Sequence, residues 1–163
     1  LTDEFAALGV QQFILIGMAG GLQPELTTGS LVVATSVIRG EGVSPHYLPP
    51  KRSVDSSPAL VASIRQLLTK QNQPHHPGVT WTTDAPFREL RKDVLEYQQQ
   101  GILAVDMEAA AMLAVATANG VAGLAMFAIA DQLYGGEWRM ASDLHPAQKA
   151  LFLLFDAAYE MST

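Results

Sequence analysis

Short unbroken apolar runs alternate with amphipathic stretches along this chain, and that alternation sets the order of its elements. Phe13-Ile14-Leu15-Ile16 predicts a buried strand over residues 12–17, and the Leu-Val-Val-Ala-Thr-Ser-Val-Ile texture predicts a second over 30–38. Residues 58–70 set Leu60, Ile64, Leu67 and Leu68 on one helical face, with Ser56 or Ser57 as the cap. A β-rich strand over 79–83 follows, then an amphipathic helix over 90–100 with Leu90, Val94, Leu95 and Tyr97 inward. Glu89, Arg91, Lys92 and Asp93 form its solvated face in this reading. Residues 102–105 predict another strand, the Ala-rich stretch after Met107 a helix, 121–130 a strand, and 146–161 a last helix. In that last helix Leu151, Leu154, Phe155 and Ala158 are expected inward. Residues 2–9 read as the final turns of a helix closed by Gly9.

Strands alternating with helices predict one α/β domain over 1–163, a three-layer α/β/α arrangement around a mostly parallel or mixed sheet. A helix that feeds a strand at Phe13 would be the return half of a crossover whose first strand is not in this sequence. Such a sheet exposes an edge, so self-association into a homo-oligomer is expected. Residues 39–57, with Gly40, Gly42, Pro45, Pro49 and Pro50, predict a long irregular excursion. His46 lies in it without metal-ligand spacing, and His75-His76 reads as a solvated turn before Pro77.

Composition narrows the function classes. The 163 residues suffice for one domain, and 48% hydrophobic residues predict a sizeable core and a soluble globular protein. A formal charge of −6 leaves no basic stripe for a nucleic-acid backbone. With no cysteine there is no disulfide, thiol nucleophile or zinc-thiolate site, and a cytoplasmic address is expected. The most apolar region, 101–130, is interrupted by Asp106, Glu108, Asn119 and Gly120, so no membrane span is expected.

The candidate chemistry lies at four strand ends. Gly17-Met18-Ala19-Gly20-Gly21 carries three glycines in five residues and is expected either to form an anion-holding nest or to be a plain tight turn. Thr82 to Arg88 is a polar and aromatic cluster after a strand. Asp106 and Glu108 stand in an otherwise apolar run at a strand-to-helix turn, where a carboxylate either complements the helix N-terminus or meets a ligand. Asp131 closes the apolar strand before it and could be a cap or a cleft carboxylate. Together they point to one cleft.

These residues resemble the nucleoside phosphorylases of the purine and uridine type, with the related nucleoside hydrolases. The resemblance runs through Ile16 to Gln23, Gly42 to Tyr47, Trp81 to Glu89, Ala130-Asp131 and, most specifically, Val105-Asp106-Met107-Glu108-Ala109-Ala110. It implies a pentosyltransferase that cleaves the N-glycosidic bond of a purine nucleoside or uridine, with inorganic phosphate as possible co-substrate and no metal or organic cofactor. Glu108 would hold the ribose hydroxyls over Met107, Phe87 would stack on the base with Thr82 and Arg88 nearby, and Asp131 would protonate the leaving base as catalytic acid. Gly17 and Gly20 would border the phosphate. This chain departs from the pattern at Leu15, typically arginine in such enzymes, and at Met18, typically serine or threonine, so the phosphate site reads as degraded. The resemblance also implies an additional N-terminal segment in such enzymes, after which this sequence is expected to start. A hydrolase, a non-catalytic nucleoside-binding relative or a fragment are the alternatives.

Overall fold

A computed structural model describes residues 1–134 and 137–162. In chain order the strands are β1 (Gln12–Gly21), β2 (Leu31–Gly40), β3 (Ser53–Asp55), β4 (His75–Thr83), β5 (Ala104–Asp106), β6 (Ala122–Gln132) and β7 (Arg139–Met140). The helices are α1 (Thr2–Ala7), α2 (Pro58–Lys70), α3 (Arg91–Gln99), α4 (Ala109–Ala118) and α5 (His145–Ser162). The sheet runs β3-β2-β4-β5-β1-β6-β7, and β2 also pairs with β6, so it curls round and closes on itself.

The sheet is mixed. The strands β2, β4 and β5 run parallel, β1 and β6 run parallel, and the two sets oppose one another through β1–β5 and β2–β6. The contact between β1 and β5 is only two residues long, Gly20 opposite Val105 and Gly21 opposite Ala104. Both pairs lie at the carboxyl end of β1, and β5 itself pairs with the carboxyl end of β4, so the two parallel sets meet tail to tail.

Alternation along β2 and β6 explains the layers, because successive side chains of a strand point to opposite faces. Leu31 and Val33, with Leu124, Met126 and Ala128, pack against Leu60, Ile64 and Leu68 of α2 and Ala147, Ala150 and Leu154 of α5. Val32 and Ala34, with Ala125, Phe127 and Ile129, pack against Ala109, Ala110 and Leu113 of α4. Both faces are covered, which is why these strands read as continuous apolar runs. The small residues of α4 let it come close to the sheet: a Cβ on Gly123 would lie 2.7 Å from Leu113 Cδ2. On a third side, Val94 of α3 packs with Trp81, Ile102 and Val105.

Several expectations change. The stretch 17–21 is extended strand rather than a turn, and the pairing of Gly17 with Phe127 and of Gly20 with Asp131 replaces the nest. His75 and His76 open β4 beside Leu31 and Val32 instead of forming a solvated turn. Phe155 is 60% exposed, because Ala150, Leu154, Ala157 and Ala158 take the inner face of α5. The excursion after β2 contains β3 and a 3-10 turn at Ser44–His46. Arg39 fastens it, donating from Nε to Ser44 Oγ at 2.7 Å and from its terminal nitrogens to the carbonyls of Leu48, Pro49 and Lys51.

Phe127 is fully buried between β2 and α4. Phe127→Ala should lower unfolding free energy by about 3 to 5 kcal/mol, since the cavity left behind adds to the lost transfer term. Urea denaturation measures this, and a loss under about 1 kcal/mol would contradict this account of the core.

Candidate active site

The tail-to-tail junction of β1 and β5 opens on a cavity of about 510 Å³. Its walls come from four strand ends: Met18 to Gly20 of β1, Thr83 at the end of β4, Val105 and Asp106 of β5 with Met107 and Glu108 just after it, and Ala130, Asp131 and Leu133 around the end of β6. Phe87, Glu89 and Arg91 close one side and Trp138 another.

Glycine at position 20 is required by close approach. A Cβ there would lie 2.7 Å from Leu133 Cδ1, 3.2 Å from Asp131 Oδ1 and 3.3 Å from Val105 Cγ1. The register of β1 against β6 also slips at this point, from Ala19 opposite Ile129 to Gly20 opposite Asp131. Such a bulge inserts one residue and re-aims the side chain that follows. Here it sets Asp131 against the bare Gly20 backbone, where the indole N–H of Trp138 donates to Asp131 Oδ2.

Asp106 is a buried part of the lining, and Thr82 lies behind it. They are paired across β4 and β5, with Thr82 fully buried and Asp106 only 4% exposed. Thr82 Oγ1 donates to Asp106 Oδ1 at 2.6 Å and accepts the Ala110 N–H at 2.9 Å. Asp106 Oδ2 accepts the Ala109 N–H at 2.7 Å and the Glu108 N–H at 3.3 Å, which satisfies amides at the start of α4. Burial pushes the Asp106 carboxyl up to about 6; the Thr82 and backbone hydrogen bonds pull it back, and neighbouring Glu108 raises it.

The cavity brings together five of the residues singled out above as site groups: Gly20, Phe87, Met107, Glu108 and Asp131, with the departing Met18 beside them. Phe87 is 90% exposed on the 3-10 turn Pro86–Arg88, at the mouth. Thr82 is a buried partner of Asp106 and not part of the lining, and Gly17 and Arg88 stand outside the lining as well. Leu15 packs into the core cluster around Phe127.

Glu89, Arg91 and Trp138 are lining residues that the sequence pattern did not single out. The helical period had been run back through Glu89, whereas α3 begins at Arg91 and Glu89 has an extended backbone with φ −62 and ψ 111. The proximity of both residues to the strand-end turn was the available signal. Burial pushes the Glu89 carboxyl up to about 7, with the charge of Asp131 adding to the rise. Among the described residues no cluster of three or more His, Cys, Asp or Glu side chains could hold a metal ion. No helix of the described residues is long and apolar enough to cross a membrane.

Comparison with known proteins identifies the family. Residues 2–155 match the family model described as the phosphorylase superfamily. The chain is 25% identical over 134 residues to a uridine phosphorylase of Salmonella typhimurium, covering 74% of this chain and 53% of that protein. It is 29% identical over 154 residues to a guanosine phosphorylase of Halorubrum lacusprofundi, covering 91% of this chain and 62% of that protein. The solved structure of the P. knowlesi homologue of P. falciparum PNP superposes with a TM-score of 0.82 at 17% identity, covering 99% of this chain and 66% of that one. The chain therefore belongs to the phosphorylase superfamily, and it spans between about half and two thirds of the length of these relatives.

The two raised carboxyls fix a pH dependence of stability. Each binds its proton more tightly folded than unfolded, so its contribution is full below the ordinary values of 3.8 for Asp106 and 4.5 for Glu89. That contribution is lost as pH rises through about 6 and about 7 respectively. The urea midpoint should therefore fall between about pH 4 and pH 7, and Glu89→Gln should flatten the upper part of the fall. An unchanged slope in that variant would show that Glu89 is not held in its protonated form.

Proposed function

We propose that the cavity at the β1–β5 junction is a nucleoside site and that the chain belongs to an enzyme acting on the N-glycosidic bond. One observation carries the reading: Glu108, Met107, Phe87 and Asp131, drawn from separate strand ends, line a single cavity of about 510 Å³, within the usual size of small-molecule sites. Glu108 accepts the ribose hydroxyls with Met107 beneath the sugar. The base lies by Phe87, and its edge meets Asp131, Glu89 and Arg91, so Arg91 takes the base-reading place expected for Arg88. The Asp131 carboxyl donates a proton to the departing base, and Glu89 is the neighbouring proton source.

The acceptor is the point of departure from the phosphorolytic relatives. Met18 lines the cavity, 37% exposed, and Leu15 is turned into the core, so neither offers a charged or hydroxyl group to phosphate. Glu89, Asp106, Glu108 and Asp131 line the cavity against one guanidinium, that of Arg91. Such a field disfavours an anion. This supports binding, or hydrolytic release, of a nucleoside without inorganic phosphate.

The test is release of free base from inosine, guanosine and uridine, with and without phosphate, alongside Asp131→Asn. Base release that does not depend on phosphate and is lost in Asp131→Asn is expected. Strong stimulation by phosphate would overturn the acceptor reading. In a separate titration, Glu108→Ala should weaken nucleoside binding by about tenfold or more and leave free-base binding nearly unchanged, because a hydrogen bond to a charged group contributes about 1.5 to 3 kcal/mol. Equal losses for nucleoside and base would remove Glu108 from the ribose.

A further inference from the structure

The Thr82–Asp106 pair is more than the start of a helix requires. An uncharged serine or asparagine commonly caps a helix, whereas an ionised carboxylate in a nearly solvent-free position costs free energy. Asp106 is kept in such a position, and every acceptor oxygen of the pair is used. The pair joins the ends of β4, β5 and α4.

Its effect on Glu108 is specific. Glu108 is the N-cap residue of α4, yet its side chain makes no capping hydrogen bond. Asp106 has taken the amides of Glu108 and Ala109, and Thr82 that of Ala110. The Glu108 carboxylate is left to the cavity it lines. We propose that Thr82 and Asp106 are positioning residues for ribose recognition, fixing the turn from Asp106 to Ala110 so that Glu108 is aimed at the sugar and not at its own helix. The inference rests on the reading of Glu108 as the ribose group.

Thr82→Val, which keeps the volume, and Asp106→Asn, which keeps the shape, break the pair from either side, and Thr82→Ser restores the hydroxyl. Each variant is titrated with inosine and hypoxanthine, and with uridine and uracil, at about pH 8 so that an ordinary carboxyl is ionised. Both breaking variants should lose about tenfold in nucleoside affinity, the equivalent of one charge-assisted hydrogen bond, with free-base affinity within about twofold. Thr82→Ser should bind like the wild type. Parallel losses for nucleoside and base, including those of a variant that no longer folds, would overturn the proposal, as would unchanged nucleoside affinity in a folded variant. A wild-type chain that binds nucleoside no better than base removes the ribose reading and this inference with it. A wild-type preference that survives in both breaking variants removes this inference alone.

Discussion

Gly20 and Gly21 allow β1 and β5 to meet tail to tail, and the architecture of the cavity follows from that contact. A Cβ on Gly21 would lie 3.2 Å from Ile129 Cγ2 and 3.3 Å from Leu26 Cβ, and one on Gly20 would collide with Leu133. Two side chains there would force the junction apart. The parallel pair β1–β6 runs opposite to the parallel set β2–β4–β5, and at this junction their carboxyl ends overlap. Ligand sites of open α/β sheets lie beyond the carboxyl ends of parallel strands. This mixed sheet reaches the same outcome by overlapping the ends of two opposed sets.

The junction also explains the charge arrangement. Asp131 is carried by the bulged end of β6 against Gly20, while Asp106 and Glu108 arrive from β5 on the other side of the contact. Three carboxylates from two opposed strand sets thus share one small space, and Glu89 joins them from the turn after β4. Burial dominates the rise at both Asp106 and Glu89. A site of this composition suits a polyhydroxylated, proton-accepting ligand better than an anion.

Much of the fold was legible in the sequence because both faces of β2 and β6 are covered, which makes their apolar runs continuous. The helices α2 and α4 were equally readable, from a one-sided stripe and from an alanine-rich run. What failed was information that local pattern does not carry. Phe155 fits the period of α5 yet points outward, since small residues of that helix occupy the inner face. The glycines at 17–21 suggested a turn, but their necessity comes from strands distant in sequence. At the cavity, Glu108, Phe87 and Asp131 were legible because polar or aromatic groups at strand ends stand out from apolar neighbours, whereas Met107 was named only through the family resemblance. Thr82 is a different case: it was expected beside the base, and its hydroxyl is instead committed to Asp106 across the strand pair, outside the lining. Glu89 was concealed by a helical period that fits two residues before the start of the helix, and Arg91 by its place on the charged face of that helix.

The central claim is that the β1–β5 junction forms the nucleoside site. Backbone amide chemical shifts of the isotopically labelled chain, followed during titration with inosine and with uridine, test it most directly. The account predicts that the largest changes fall on Met18 to Gly20, Met107, Glu108 and Asp131, around the cavity at that junction. A second cavity lies between residues 48–58 and the end of α4 with the start of β6. Changes confined to that second cavity, or no localised change at either, would contradict it.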